Sequence, residues 1–241
     1  HLNVEGELIS RLGIDVAGHM HTTRSRNDQV ALDVRMLART HLIPLREKVT
    51  NIVDSFLDKA EGNLENIMMG YTHFQHAQPI SVGFWLSGYA SSYIRDGLRL
   101  QNAYDQADMN PLGGGAISGT SFNIDRDLTS NLLGFQKTFE HTLDATSSRD
   151  YFLDVLHSSA TLQNNLSRLA EEFIVWSSYE YRTLTLDDGF AMGSSMMPQK
   201  KNPGVLELLR GRSGRSTGYL MAGYTMLKGL PTAYNRDFHA E

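Results

Sequence analysis

The sequence predicts an all-α fold, an elongated bundle of long helices. Apolar residues recur at spacings of three and four over many consecutive turns. Only six prolines occur in 241 residues, so long segments run without a breaker. No segment of any length alternates apolar and polar residues with the period of a strand.

The clearest helix is expected from about Ser147 to Arg182. Phe152, Val155, Leu162, Leu166, Leu169, Phe173 and Trp176 share one phase in it, with Ser159 as a polar member. A helix of about 35 residues would be some 50 Å long. That is too long for a compact monomer of this size, and it predicts a bundle shared between subunits. A second helix is expected from about Gln29 to Gly62, with Val30, Val34, Leu37, Leu45, Ile52 and Phe56 as its stripe and a kink at Pro44. A third runs from about Ser81 to Asp105, carrying Phe84, Leu86, Tyr89, Tyr93, Leu98 and Leu100. A shorter one begins near Asp125. The last starts near Pro203, where a proline suits a first turn, and ends near Leu227. Three polar, glycine-marked loops remain: His21–Asp28, Asn110–Thr120 and Asp187–Asn202.

Composition removes several function classes. Hydrophobic residues make up 41% and charged residues 20%, a balance that excludes wholesale disorder. The chain has no cysteine, which excludes a disulfide framework, a thiolate metal site and a cysteine nucleophile. It also fits a reducing compartment, and a cytoplasmic location is expected. A net charge of -5 argues against nucleic acid as a partner. No apolar run approaches the roughly 20 residues of a membrane helix, so no membrane partner is expected. The first 18 residues lack the basic start of a secretory leader. The chain starts without Met, stops just after a motif-like segment, and is expected to be an internal piece of a longer protein.

Chemistry concentrates in the loops. Gly193-Ser194-Ser195-Met196-Met197-Pro198-Gln199-Lys200-Lys201-Asn202-Pro203 combines loop amides, a cation and a helix N-terminus, which together suit a carboxylate. The same residues also read as a solvated loop with a cap. Thr22-Thr23-Arg24-Ser25-Arg26-Asn27-Asp28 crowds two arginines, an amide and hydroxyls before a helix. Arginine forks grip carboxylates, yet a capping segment with surface arginines is the equal alternative. Asp28 would cap or pair with an arginine. Gly70–Pro79 carries His73 and His76 with no third ligand at metal-like spacing. A hydrogen-bonded histidine is the better reading, and Glu207 is a candidate to orient it. Arg210, Arg212 and Arg215 read as a helix face or subunit contact. Gly113-Gly114-Gly115 lacks the lysine of a phosphate-binding loop and is expected to be mobile or tightly packed.

Together these segments resemble a known family. Gly193–Pro203 is similar to the signature of the fumarase/aspartase superfamily. His21–Gln29, Gly70–Pro79 and Lys228–Asp237 resemble its argininosuccinate lyase and delta-crystallin branch. The resemblance spans Gly18 to Asp237. It implies a homotetramer whose core is a bundle of long helices and whose active sites are each built from three subunits. Residues 1–20 would end an N-terminal helical domain, 21–230 would form the central bundle domain, and 231–241 would begin a C-terminal region.

The activity implied is β-elimination of argininosuccinate to fumarate and arginine, with neither metal nor organic cofactor. The resemblance implies Ser194 as the base and His73 as the acid, with Glu207 as its charge partner. Lys200 and Asn202 would hold the carboxylate on which charge grows. Ser25, Arg26, Asn27, Thr72 and Tyr234 would bind substrate. Two positions depart from the branch: Thr23 stands where it has glycine, and His239 where it has glutamine. They motivate an alternative, a sister lyase of the ethylenediamine-disuccinate type that releases fumarate from another N-substituted aspartate or succinate. A non-catalytic crystallin-like bundle is the third reading; the joint presence of Ser194, Lys200, Asn202 and His73 argues against it.

Overall fold

The computed structural model describes residues 2–237. In chain order they form α1 (Leu2–Leu12), α2 (Ile14–Ala17), a 3-10 turn at Gly18–His21, α3 (Arg26–Glu61), β1 (Ile67–Thr72), β2 (Gln75–Ser81), α4 (Val82–Ala107), β3 (Met109–Asn110) and α5 (Arg126–Leu132). There follow β4 (Lys137–Thr138), α6 (Thr142–Ser147), α7 (Asp150–Ser177), a 3-10 turn at Asp188–Phe190, β5 (Met192–Gly193), β6 (Lys201–Asn202) and α8 (Gly204–Leu227). The helical class is borne out: α3, α4, α7 and α8 run for 36, 26, 28 and 24 residues. Helix α3 continues through Pro44, one backbone donor short.

Three details correct the sequence reading. The chain is not free of strands, because β1 and β2 form an antiparallel hairpin and two shorter ladders join β3 to β4 and β5 to β6. The long helix expected from about Ser147 to Arg182 is shorter at both ends, running as α7 from Asp150 to Ser177, with Ser148–Arg149 separating it from α6. The stripes of α3 and α4 are also rephased. Leu37, Phe84 and Leu98 are exposed, while Ala31, Arg35, Ala38 and Leu42 on α3 and Leu86, Ala90 and Tyr93 on α4 face inward. Small and polar residues hold core positions there, which hides the inward face from a count of large apolar residues.

The described residues cluster into two compact units. One comprises Thr40–Tyr104 and Phe152–Met226. Its core joins Leu42, Val49, Val53 and Phe56 of α3 to Leu86, Tyr93 and Leu100 of α4 and Leu162 and Leu169 of α7. Each such side chain contributes about 1.5–3 kcal/mol when fully buried. Phe56 stacks on Tyr93 at 5.9 Å between centroids. A buried polar tie crosses this core: Asp96 accepts from Asn165 Nδ2 at 2.8 Å and from Arg99 Nη1 at 2.8 Å. Burial, and then the nearby Asp96 charge, push the Tyr93 hydroxyl up. Helix α8 approaches α7 closely at Gly223, where a Cβ would lie 2.6 Å from Leu156 Cδ1.

The other unit is built from the described parts of 1–39, 105–151 and 227–241. Arg35 lies at its centre, 1% exposed. Its guanidinium sits 3.9 Å from the Tyr151 ring centroid and 4.7 Å from that of Phe139. It donates to Gln106 O at 2.8 Å and to Ser148 Oγ at 2.7 Å. Burial pushes it down to about 10, so it stays charged at neutral pH while it binds a carbonyl, a hydroxyl and two ring faces.

Candidate active site

The unit holding α7 and α8 carries Thr72, His73, Ser194, Lys200, Asn202 and Glu207. In the hairpin, Thr72 pairs with Gln75, so His73 and Phe74 make a two-residue turn. Both have φ of 56°. Such turns match strand twist but ordinarily use Asn-Gly, and a side chain there costs about 1–2 kcal/mol per residue. Strain of this kind persists where the surroundings over-determine it. The surroundings here are aromatic: the Tyr71 ring lies 5.1 Å from Trp176 and 5.4 Å from Tyr181. His73 lines a cavity of about 380 Å³ with Tyr71, Arg168, Glu171, Glu172 and Trp176.

The serine loop is closed by the β5–β6 ladder. Gly193 pairs with Lys201, so Ser194 and Lys200 stand one residue beyond that pair on either side of the loop. Ser194 Oγ accepts from Met197 N at 3.1 Å and Met196 N at 3.3 Å. Amide donors aimed at a hydroxyl oxygen favour its deprotonated form. Lys200 Nζ donates to Asn202 Oδ1 at 2.5 Å, which fixes a cation beside an amide. Lys201, by contrast, pairs with Asp188.

The other unit carries Ser25, Arg26, Asn27 and Tyr234. Ser25 caps α3: its Oγ accepts from Asn27 N at 3.2 Å, and its own N–H donates to Asp28 Oδ1 at 3.0 Å. The pair is related to a capping box: Asp28 supplies the return bond from the third helical residue, while Ser25 accepts from the second. Arg26 is exposed. Asn27 Nδ2 donates to Ala116 O at 2.9 Å, fastening it to the glycine loop. That loop is tightly packed: a Cβ on Gly113 would lie 2.7 Å from Arg126 Cγ. Tyr234 follows Ala233, whose N–H donates to Ser147 Oγ at 2.5 Å.

Thr23 takes a φ of 61°, the left-handed region in which a β-branched residue is an outlier. This gives a physical reason for the glycine of the resembled branch. Thr23→Gly relieves about 1–2 kcal/mol of strain, partly offset by the chain entropy glycine loses on folding. The expected result is a melting temperature higher by about 1–2 °C in scanning calorimetry. A lower one would show that the threonine side chain makes contacts worth more than its strain.

No hydrogen bond or ion pair joins His73 to Glu207 among the described residues; Glu207 N donates instead to Pro203 O at 3.0 Å in the first turn of α8. Glu171 and Glu172, which the sequence reading did not single out, share the His73 cavity, and Arg210 pairs with Glu171. His239 lies outside the described residues. Among those described, no group of three His, Asp or Glu is arranged to hold a metal ion. No helix among them is long and apolar enough to cross a membrane.

The chain belongs to the lyase family, whose pattern it matches over residues 1–218. It is 46% identical over all 241 residues to an argininosuccinate lyase of Anoxybacillus flavithermus (strain DSM 21510 / WK1), of which it covers 52%. Among solved structures it superposes on EDDS lyase in complex with formate with a TM-score of 0.93 at 34% identity, covering 98% of this chain and 48% of that one. A fumarate lyase:delta crystallin from Brucella melitensis shares the fold, with a TM-score of 0.80 at 21% identity over 95% of this chain and 51% of that one. The chain thus spans about half the length of the relatives it matches. The resemblance read from the motifs is borne out.

Proposed function

We propose that the complete protein is a carbon–nitrogen lyase of arginine biosynthesis that splits argininosuccinate into fumarate and arginine. The observation that carries this reading is the serine loop: Ser194 Oγ receives two amide N–H groups, and Lys200 is held against Asn202 on the opposite side of the ladder that closes the loop. Support also comes from the 46% identity to an argininosuccinate lyase.

In this reading Ser194 removes a proton from the carbon next to a substrate carboxylate. The electron pair moves into that carboxylate, and Lys200 and Asn202 stabilise the added charge. The carbon–nitrogen bond then breaks, and His73 donates a proton to the leaving nitrogen. Ser25, Arg26, Asn27, Thr72 and Tyr234 hold the rest of the substrate. No cofactor is proposed.

Glu207 would serve His73 across a subunit boundary, in a homotetramer with three subunits building each site. Exposed apolar side chains on α4 (Phe84, Ile94, Leu98) and α8 (Leu208, Tyr219, Met221, Tyr224) support such burial. Residues 21–230 would form the central domain between the end of an N-terminal domain at 1–20 and the start of a C-terminal region at 231–241, in a cytoplasmic enzyme.

The test is incubation of the complete protein with argininosuccinate, followed by NMR. Equimolar fumarate and arginine are expected; no release from folded protein would overturn the reading. The second reading, an EDDS-lyase-type enzyme, is favoured by the 0.93 TM-score and by Thr23. It predicts addition of a different amine to fumarate in the reverse direction.

A further inference from the structure

Asp28 is fully buried, yet it is held by backbone amides rather than by a cation. Buried carboxylates are ordinarily paired with a charge or richly hydrogen-bonded. Oδ1 accepts from Ser25 N at 3.0 Å, and Oδ2 accepts from Gly115 N at 2.9 Å. The N–H groups of Gly113 and Gln29 add to the field on it. A helix cap requires only the first of these bonds. The second reaches a segment 87 residues away in sequence and is superfluous for capping.

A neighbouring bond repeats the connection, since Asn27 Nδ2 donates to Ala116 O. The glycine turn on the far side is rigid. Gly113 and Gly115 have φ of 86° and 59°, and a Cβ on Gly115 would lie 2.9 Å from Gly119 O. Arg126 Nε donates to Leu112 O at 3.0 Å and braces the turn from behind.

We infer that Asp28 is a positioning residue for the proposed elimination: its two oxygens lock the Ser25–Arg26–Asn27 donors to the Gly113–Ala116 turn, so that they meet an anionic substrate already ordered. The inference rests on the function proposed above for those three residues. A carboxylate is required because both oxygens accept. Asn would present an amide NH₂ to one of the two N–H groups and break that tie while keeping shape. Pre-ordering donors lowers the cost of binding, so its loss acts on KM more than on kcat.

The test compares the complete wild-type protein with Asp28→Asn. Loss of one charge-assisted tie is expected to raise KM for argininosuccinate about tenfold, with kcat changed less than about threefold. The double variant Asn27→Ala/Asp28→Asn is expected to be no worse than Asn27→Ala alone, because both act through one connection. Hydrogen-exchange mass spectrometry is expected to show faster exchange in peptides holding Ser25 and Gly115. Gly115→Ala, which displaces the turn and leaves the carboxylate intact, is expected to reproduce the KM rise should Asp28→Asn not fold. An unchanged KM, or additive effects in the double variant, would overturn the inference. If the wild-type protein does not cleave argininosuccinate, the functional reading fails; unchanged exchange at Ser25 and Gly115 would overturn the tie on its own.

Discussion

Ser194→Ala in the complete protein is expected to lower kcat by about three to four orders of magnitude, the upper range for a positioned proton-transfer group, while its melting temperature stays within about 1–2 °C of wild type. The two expectations come from the same geometry. A serine hydroxyl is a poor base unless its alkoxide is stabilised, and here two adjacent N–H groups of Met196 and Met197 converge on its oxygen. They bind the charged form more strongly than the neutral one. The side chain supports no core. Met196, two residues on, is 85% exposed, and the loop is pinned by the β5–β6 ladder rather than by Ser194. Amides freed by the substitution face water, which limits the change in stability to about 0.5 kcal/mol. Steady-state kinetics beside calorimetry checks both halves. A kcat within tenfold of wild type would remove Ser194 as the base, and a collapse in stability would make the loss of activity a folding effect.

The candidate residues of this loop could be singled out in the sequence because they are local. Gly193, Ser194, Lys200 and Asn202 lie within one short segment, and the ladder that closes it pairs residues inside that segment. Helix α7 was legible for a similar reason, a 3.6-residue period repeated many times within it, and α8 was marked by Pro203 just ahead of its first turn. The hairpin was not. Most of β2 is exposed and Pro79 lies inside it, so neither alternation nor composition marks it as a strand. Its turn uses His73-Phe74 in place of Asn-Gly, which removes the strongest short-range signal. Asp28 shows the limit most clearly. Its sequence neighbours allow a cap or an arginine partner, and the cap is there, but the bond to Gly115 depends on a turn folded far along the chain. Arg35 is the converse case, a charged residue at a core position of α3 that shifts the apparent apolar stripe by one face.

Lys200→Met is expected to lower kcat/KM by about two to three orders of magnitude, the cost of removing one strong donor from a developing oxyanion, and to do so mainly through kcat. The substrate carboxylate carries one negative charge before the proton leaves and nearly two afterwards, so a cation beside it interacts more strongly with the transition state than with the ground state. Asn202→Ala separates charge from placement. In the structure Asn202 Oδ1 holds the Lys200 ammonium, and β6 fixes the asparagine opposite Met192 in the ladder. Removing the amide leaves the charge but frees a flexible four-carbon stem, so the expected loss is smaller, about tenfold. The double variant is expected to resemble Lys200→Met alone, since an asparagine with no lysine to orient has little left to contribute. Lys200→Arg is not a rescue, because a planar fork does not reproduce a compact ammonium at this site. A Lys200→Met enzyme that keeps kcat and only raises KM would show that the lysine binds the ground state as well as the transition state. The growing charge would then have to be met by the loop amides, and the assignment of Lys200 as its partner would fall.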